Sequence, residues 1–192
     1  MSTNQFYYDE LRKCTRRGAF NILLVINQVR PACLEVIFGG VKHTCSILNK
    51  IMKKFPHIDY TLRKSGGTQA ILTVFDNTIH SREFVESAKS NKEFGILYGY
   101  KEADPPRTNE YYTVTYRTLS RSVSFSLSER VNFPTDLQYF KNKCAEYDRV
   151  AQTIGKRVSL LIDLHNVETF TPGEYTVRRS RRTKKRKRQQ EN

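Results

Sequence analysis

Ile58-Asp59-Tyr60-Thr61-Leu62-Arg63-Lys64 and Gln69-Ala70-Ile71-Leu72-Thr73-Val74-Phe75-Asp76 flank the tetrapeptide Ser65-Gly66-Gly67-Thr68. The second run is dense in β-branched and aromatic residues, which suit a pleated, half-buried surface. Two such runs around a Gly-Gly turn predict a β-hairpin. A second hairpin is predicted downstream. There Tyr112, Val114 and Tyr116 alternate with Thr113, Thr115 and Arg117, and Val123, Phe125 and Leu127 alternate with Ser124 and Ser126. Alternation of this kind places one face in a core and the other in water.

Outward from these hairpins, further segments fall into place. Asn4 to Arg17 reads as a helix stopped by Gly18. Phe20 to Val29 is mostly apolar and β-branched and predicts a buried strand, and Cys33 to Phe38 a second strand ended by Gly39-Gly40. Ile47, Leu48, Ile51, Met52 and Phe55 have helical spacing, with Thr44 as cap, Pro56 as stop and Lys50, Lys53 and Lys54 turned outward. Ser81 to Phe94 reads as a helix, and Gly95 to Tyr100 as a short apolar piece between glycines. Pro134-Thr135-Asp136 opens another helix carrying Leu137, Phe140, Cys144, Tyr147, Ala151 and Ile154 inward, with Gly155 as its stop. This stripe is too short for a coiled coil, so it is expected to dock on a sheet. Val158 to Leu164 closes the series as a buried strand. Helices separating pairs of strands imply an α+β fold: helices packed on one face of a largely antiparallel mixed sheet. Residues 1–177 form the expected globular domain, with a two-part look around Lys101 to Asn109 and its Pro105-Pro106.

The last fifteen residues, 178–192, differ in kind. Nine of the eleven residues from Arg178 to Arg188 are cationic: Arg178, Arg179, Arg181, Arg182, Lys184, Lys185, Arg186, Lys187 and Arg188. None of the fifteen is a large apolar residue, so the segment has nothing to bury and is expected to be a disordered basic tail. Of the chain's net charge of +14, the tail supplies +8 and the other 177 residues +6. Such a run suits a DNA or RNA phosphate backbone, contacted without reading bases and with steep salt dependence. Its two nearly contiguous clusters also match a nuclear localisation signal, which a nuclear import receptor reads along an extended chain. No apolar anchor accompanies the charge, and no membrane partner is expected.

Composition narrows the remaining chemistry. With 38% hydrophobic residues, 11 Tyr and 11 Phe, the chain can form a core even though the tail dilutes it. No run approaches a membrane span, and the polar N-terminus is not expected to be a signal peptide. Cys14, Cys33, Cys45 and Cys144 are scattered without a Cys-x-x-Cys pair, and the four histidines lie far apart. Reduced, buried thiols are the expectation, and no metal ligands are assigned.

Ser65-Gly66-Gly67-Thr68, preceded by Arg63-Lys64, resembles a phosphate cradle but does not lead into a helix, so a plain hairpin turn is favoured. Gly39-Gly40-Val41-Lys42-His43-Thr44 lies between strand and helix yet lacks a nucleotide-binding pattern. Glu35, Asp59, Asp76 and Asp163 sit in or at the ends of predicted strands, where a metal-dependent enzyme would need at least two of them close together. Asp163 interrupts an apolar run, and an edge position facing solvent explains it more simply. Tyr111, Tyr112 and Tyr116 share a hairpin with Arg117, Arg121 and Arg130, a combination that can stack bases on an open sheet, but alternation favours core packing for Tyr112 and Tyr116.

No catalytic residue and no cofactor are assigned. The expectation is a non-enzymatic nuclear protein contacting nucleic acid or chromatin through the nine tail cations, with a protein partner also compatible. Two alternatives stay open: a regulatory or interaction protein whose tail is only an import address, and a metal-dependent enzyme acting on nucleic acid or nucleotides. Low alanine content and absent tryptophan would suit a protein from an AT-rich genome, a virus among the candidates.

Overall fold

A computed structural model of the chain describes residues 2–15, 18–38, 40–64, 69–100, 110–118, 126–131 and 137–166. Strands β1 (Ala32–Phe38), β2 (Ile58–Lys64) and β3 (Gln69–Asp76) form an antiparallel sheet in the order β1-β3-β2. The expected hairpin is its centre and one edge: Leu62 lies opposite Leu72 and Ile58 opposite Asp76, while residues 65–68 of the turn lie outside the described residues. Alternation divides the sheet into two apolar faces. Cys33, Ile37, Ile58, Leu72 and Val74 join the main core, whereas Ala32 and Phe75 face the opposite side and pack with Val85 and Leu97.

The main face is covered by three helices. Helix α1 (Thr3–Arg12) is capped by Ser2, whose hydroxyl accepts from the Gln5 amide at 3.1 Å. It ends five residues before the expected Arg17. The hydroxyl of Thr15 accepts from the Gly18 amide at 3.0 Å and so opens the next element, a local bond that competes with helix continuation.

Helix α2 (Ala19–Ile26) corrects the expected strand Phe20 to Val29. Seven of its eight residues are buried, so no amphipathic period marks the helix, and an apolar run buried all round reads equally well as a strand. It packs on β1, β3 and α1. Helix α3 (Val41–Lys54) begins three residues before the expected Thr44, because Gly40 adopts φ +61° and turns the chain directly from β1 into the helix.

On the opposite face, the single helix expected over Ser81 to Phe94 is two short ones, α4 (Arg82–Ser87) and α5 (Asn91–Leu97). Ser81 caps the first, its hydroxyl accepting from the Phe84 amide. Ser90 and Glu93 form a reciprocal capping box that starts the second and holds the Glu93 carboxyl down at about 2, through bonds from the Lys89 and Ser90 amides. Gly95 therefore lies inside a helix rather than bounding an apolar piece.

Strands β4 (Glu110–Thr118), β5 (Ser126–Val131) and β6 (Val158–Asn166) form a second antiparallel sheet in the order β5-β4-β6. Strand β5 starts three residues after the expected Val123, and pairs Leu127 with Tyr116. Residues 121–125 lie outside the described residues. Helix α6 (Leu137–Gln152) lies on this sheet, burying Phe140, Tyr147, Val150 and Ala151. It ends as expected at Gly155. The amide of Lys156 bonds to the Ala151 carbonyl at 2.9 Å and that of Gly155 to Gln152 at 3.0 Å, the reversed bonds of a Schellman turn, with Gly155 at φ +64°.

The α+β class with antiparallel pairing is borne out, with two refinements. The strands divide between two sheets, and helices lie on both faces of the first. One hydrophobic cluster runs from Leu72 and Val74 through α2 to Val114, Tyr116, Phe140 and Tyr147. Helix α2 touches the first sheet directly and α6 on the other side, which makes it the common centre. No helix among the described residues is long and apolar enough to cross a membrane.

Candidate nucleic-acid interface

Helix α3 sorts its side chains into sharply different arcs. Thr44, Ile47, Leu48 and Ile51 are buried against the core. Lys42, His43, Ser46, Asn49, Lys50, Lys53 and Lys54 are exposed. At about 100° per residue these seven fall within an arc of about 140°, and Lys42 and Lys54 are about 18 Å apart along the axis. Not one is acidic, and none of the four lysines is ion-paired among the described residues. The helix is held in place at both ends. The Tyr7 ring meets Phe55 edge-on at 5.2 Å, and the Cys14 thiol and Thr44 hydroxyl interact at the other end, so α1 runs antiparallel beside it. The Tyr60 hydroxyl donates to Asn49 Oδ1 at 3.1 Å, a bond that does not use the two donors of that exposed side chain's amide nitrogen.

The charge of residues 1–177 is unevenly placed. From Leu11 to Ile58 there are nine Lys/Arg and one acid, Glu35; the other residues up to Val177 hold 15 Lys/Arg and 17 Asp/Glu. The body's positive excess therefore lies wholly in the stretch that runs from the last two residues of α1 through α2, β1 and α3.

Not every cation in that stretch is available to a partner. Arg30 is 4% exposed. It donates to Asn21 Oδ1 at 2.9 Å, and the Asn21 amide donates to Glu35 Oε1 at 2.7 Å. Asn21 thus bridges a buried cation and a half-buried carboxylate. Burial pushes the Glu35 carboxyl up, opposed by the Asn21 bond and by Arg30. The Arg30 guanidinium also lies 5.7 Å from the Tyr98 ring centre and 6.0 Å from that of Tyr100. Burial pushes the Tyr98 hydroxyl up to about 12. Lys143 of α6 is likewise buried, donating to the Gly99 carbonyl at 2.8 Å. Beside this cluster, Leu34, Phe94, Gly95, Tyr98 and Tyr100 line an open depression of ≈ 400 Å³.

The nine tail cations, Arg178 to Arg188, lie outside the described residues, and so does their relation to α3. Glu35, Asp59 and Asp76 are not brought together. Glu35 and Asp76 share one face of the first sheet, but Asp76 stands four residues beyond Leu72, the partner of Glu35, or about 13 Å along the strand. Asp59, opposite Phe75, belongs to the other face and pairs with Arg82 at 2.6 Å. Asp163 is in the second sheet, opposite Thr113, its side chain outside the described residues. Burial raises the Asp76 carboxyl, but bonds from the Thr78 hydroxyl and amide and from Gln28 outweigh it and hold the group below the usual carboxylate range. It stabilises the turn into α4. Among the described residues, no group of three or more His, Cys, Asp or Glu is placed to hold a metal ion.

Tyr116 is fully buried and packs edge-on against Tyr147 at 5.1 Å, so core packing is borne out for it, while Arg117 faces solvent. All four cysteines are unpaired; Cys33 is buried and the others half-buried. Comparison of the chain with models of protein families, with curated proteins and with solved structures gives no match.

Apolar spacing alone turns Lys50, Lys53 and Lys54 outward but does not mark α3 as a surface. Lys42 and His43 escape it because the helix is expected to begin only at Thr44. A signal is nonetheless present: no acid occurs between Glu35 and Asp59.

Proposed function

We propose that this protein is a non-enzymatic nuclear protein that contacts nucleic acid or chromatin, with Arg178 to Arg188 supplying import and sequence-independent phosphate contacts. The observation that carries this reading is the density of nine cations in eleven residues with no large apolar residue among them. A segment of that composition gains little from burial and much from releasing the counterions around a polyanion. The acid-free exposed face of α3 supports it, since it offers the folded part a surface of the same sign. The separation of Glu35, Asp59 and Asp76 gives no support to the metal-enzyme alternative.

The test compares the full chain with a variant carrying glutamine at all nine tail cations. Affinity for a DNA or RNA duplex is measured across a salt series, and cellular location is followed in parallel. The reading expects weaker binding, a shallower salt slope and loss of nuclear entry in the variant. Lost nuclear entry with unchanged affinity would reduce the tail to an import address. Unchanged location and unchanged affinity would sink the proposal.

A further inference from the structure

We infer that the exposed face of α3 is a docking surface for a nucleic-acid phosphate backbone, built from Lys42, Lys50, Lys53 and Lys54 with Asn49 and His43 as further hydrogen-bond donors. This rests on the nucleic-acid reading above and deepens it, because it places a contact surface on the folded body rather than on the tail.

Three observations carry it. The first is geometric. The four lysines lie on one arc of a helix fixed at both ends by α1, and the stripe they form is about 18 Å long, enough to follow about five base pairs of duplex.

The second is the absence of compensation. An acid three or four residues from an exposed helix lysine contributes a few tenths of a kcal/mol per pair. Helix α3 contains no acid, and its lysines have no ion-pair partner among the described residues. Four like charges on one arc repel one another, a cost that a polyanion laid along the arc converts into attraction.

The third concerns position. Lys53 and Lys54 occupy the last turn, where the helix dipole favours cations and folding alone accounts for them. Lys42 occupies the first turn, at the positive end, where a cation weakens the helix; no acid is present there to offset it. Helix stability does not explain Lys42, whereas a phosphate partner spanning the whole stripe does.

The test uses the full chain throughout, with a DNA duplex of about 20 base pairs and an RNA duplex of the same length as probes. Four proteins are compared: the wild type, K42Q/K50Q/K53Q/K54Q, the variant with glutamine at the nine tail cations, and the variant combining both sets. Glutamine keeps helix propensity close to that of lysine, and an unchanged thermal melt verifies the fold. The slope of log affinity against log salt should become shallower by about 3 to 4 in the α3 variant, the loss expected for four phosphate contacts. The tail variant should retain residual binding that adding the α3 substitutions abolishes. Unchanged affinity and slope in the α3 variant, with binding lost in the tail variant, would overturn the docking surface and leave the tail reading standing. The reverse pattern would uphold the surface and refute the tail. No salt-dependent binding by the wild type would overturn both. Displacement of the duplexes by polyglutamate at matched charge with equal potency would show that the face takes any acidic polymer, and would also overturn the assignment.

Discussion

Gly18 and Glu35 are in direct contact across the junction of α2 and β1: a Cβ placed on Gly18 would overlap the Glu35 carboxyl carbon. The carboxylate cannot swing away freely, because the Asn21 amide holds it at 2.7 Å and Arg30 lies on the far side of that same asparagine. Gly18→Ala is therefore expected to destabilise the fold by about 1–3 kcal/mol, the usual range for overpacking. In a Glu35→Ala background the same substitution should cost much less, since its obstacle is gone. Urea unfolding of the four proteins in this double-mutant cycle checks it; additive costs would show that the contact is not the cause.

The bridge from Arg30 through Asn21 to Glu35 predicts a second asymmetry. Arg30→Met should destabilise by about 1–3 kcal/mol, because it leaves the Asn21 carbonyl without its donor and the half-buried Glu35 carboxylate without its nearby cation. The double variant Arg30→Met with Glu35→Gln should recover part of that loss, since both charges are then absent. Thermal melts at neutral pH read the difference, and a double variant worse than the sum of its parts would contradict the pairing.

Asp148 supplies a pH-dependent share of stability. Burial raises its carboxyl, but the Val158 amide donates to it at 2.7 Å, Arg157 pairs with it at 3.0 Å and Gln152 adds a third bond, so the group is held below its ordinary value. A carboxyl with a lowered folded pKa stabilises above its unfolded value, near pH 4, and that contribution disappears as pH falls through the folded value. Asp148→Asn should cost about 1–3 kcal/mol at pH 7. The gap between wild type and variant should close as pH drops below about 4. A gap that persists or widens in acid would contradict the assigned sign.

A methyl group added at Gly155 would meet nothing within 4 Å, yet the φ of this residue is +64°. Gly155→Ala should cost about 1 kcal/mol through backbone strain alone, and Gly155→Asn less, because asparagine tolerates the left-handed region. Thermal melts of the two variants read the order, and equal losses would point to a cause other than the turn.

Elements with their own local signature were legible in the sequence. The pair Ile58 to Lys64 and Gln69 to Asp76 had β-branched runs around glycines, and α6 had an unbroken apolar stripe ending at Gly155. Helix α2 was not legible, because burial on every side erases the polar positions from which a period is read. The break between α4 and α5 had a signal in the Ser90-x-x-Glu93 spacing of a capping box, but the same residues also fit the exposed side of one continuous helix. The candidate interface was only partly legible. The tail stood out as a run of charge, whereas α3 separates its cations by apolar residues, and only the helix gathers them onto one side.

The burial of α2 on every side also has a dynamic consequence. Its backbone amides sit where neither sheet can be peeled back without uncovering the other's neighbours. They should exchange with deuterium only when the whole core opens, so the slowest-exchanging amides of this segment would time global unfolding, while those of α4 and α5 would exchange sooner, through partial opening.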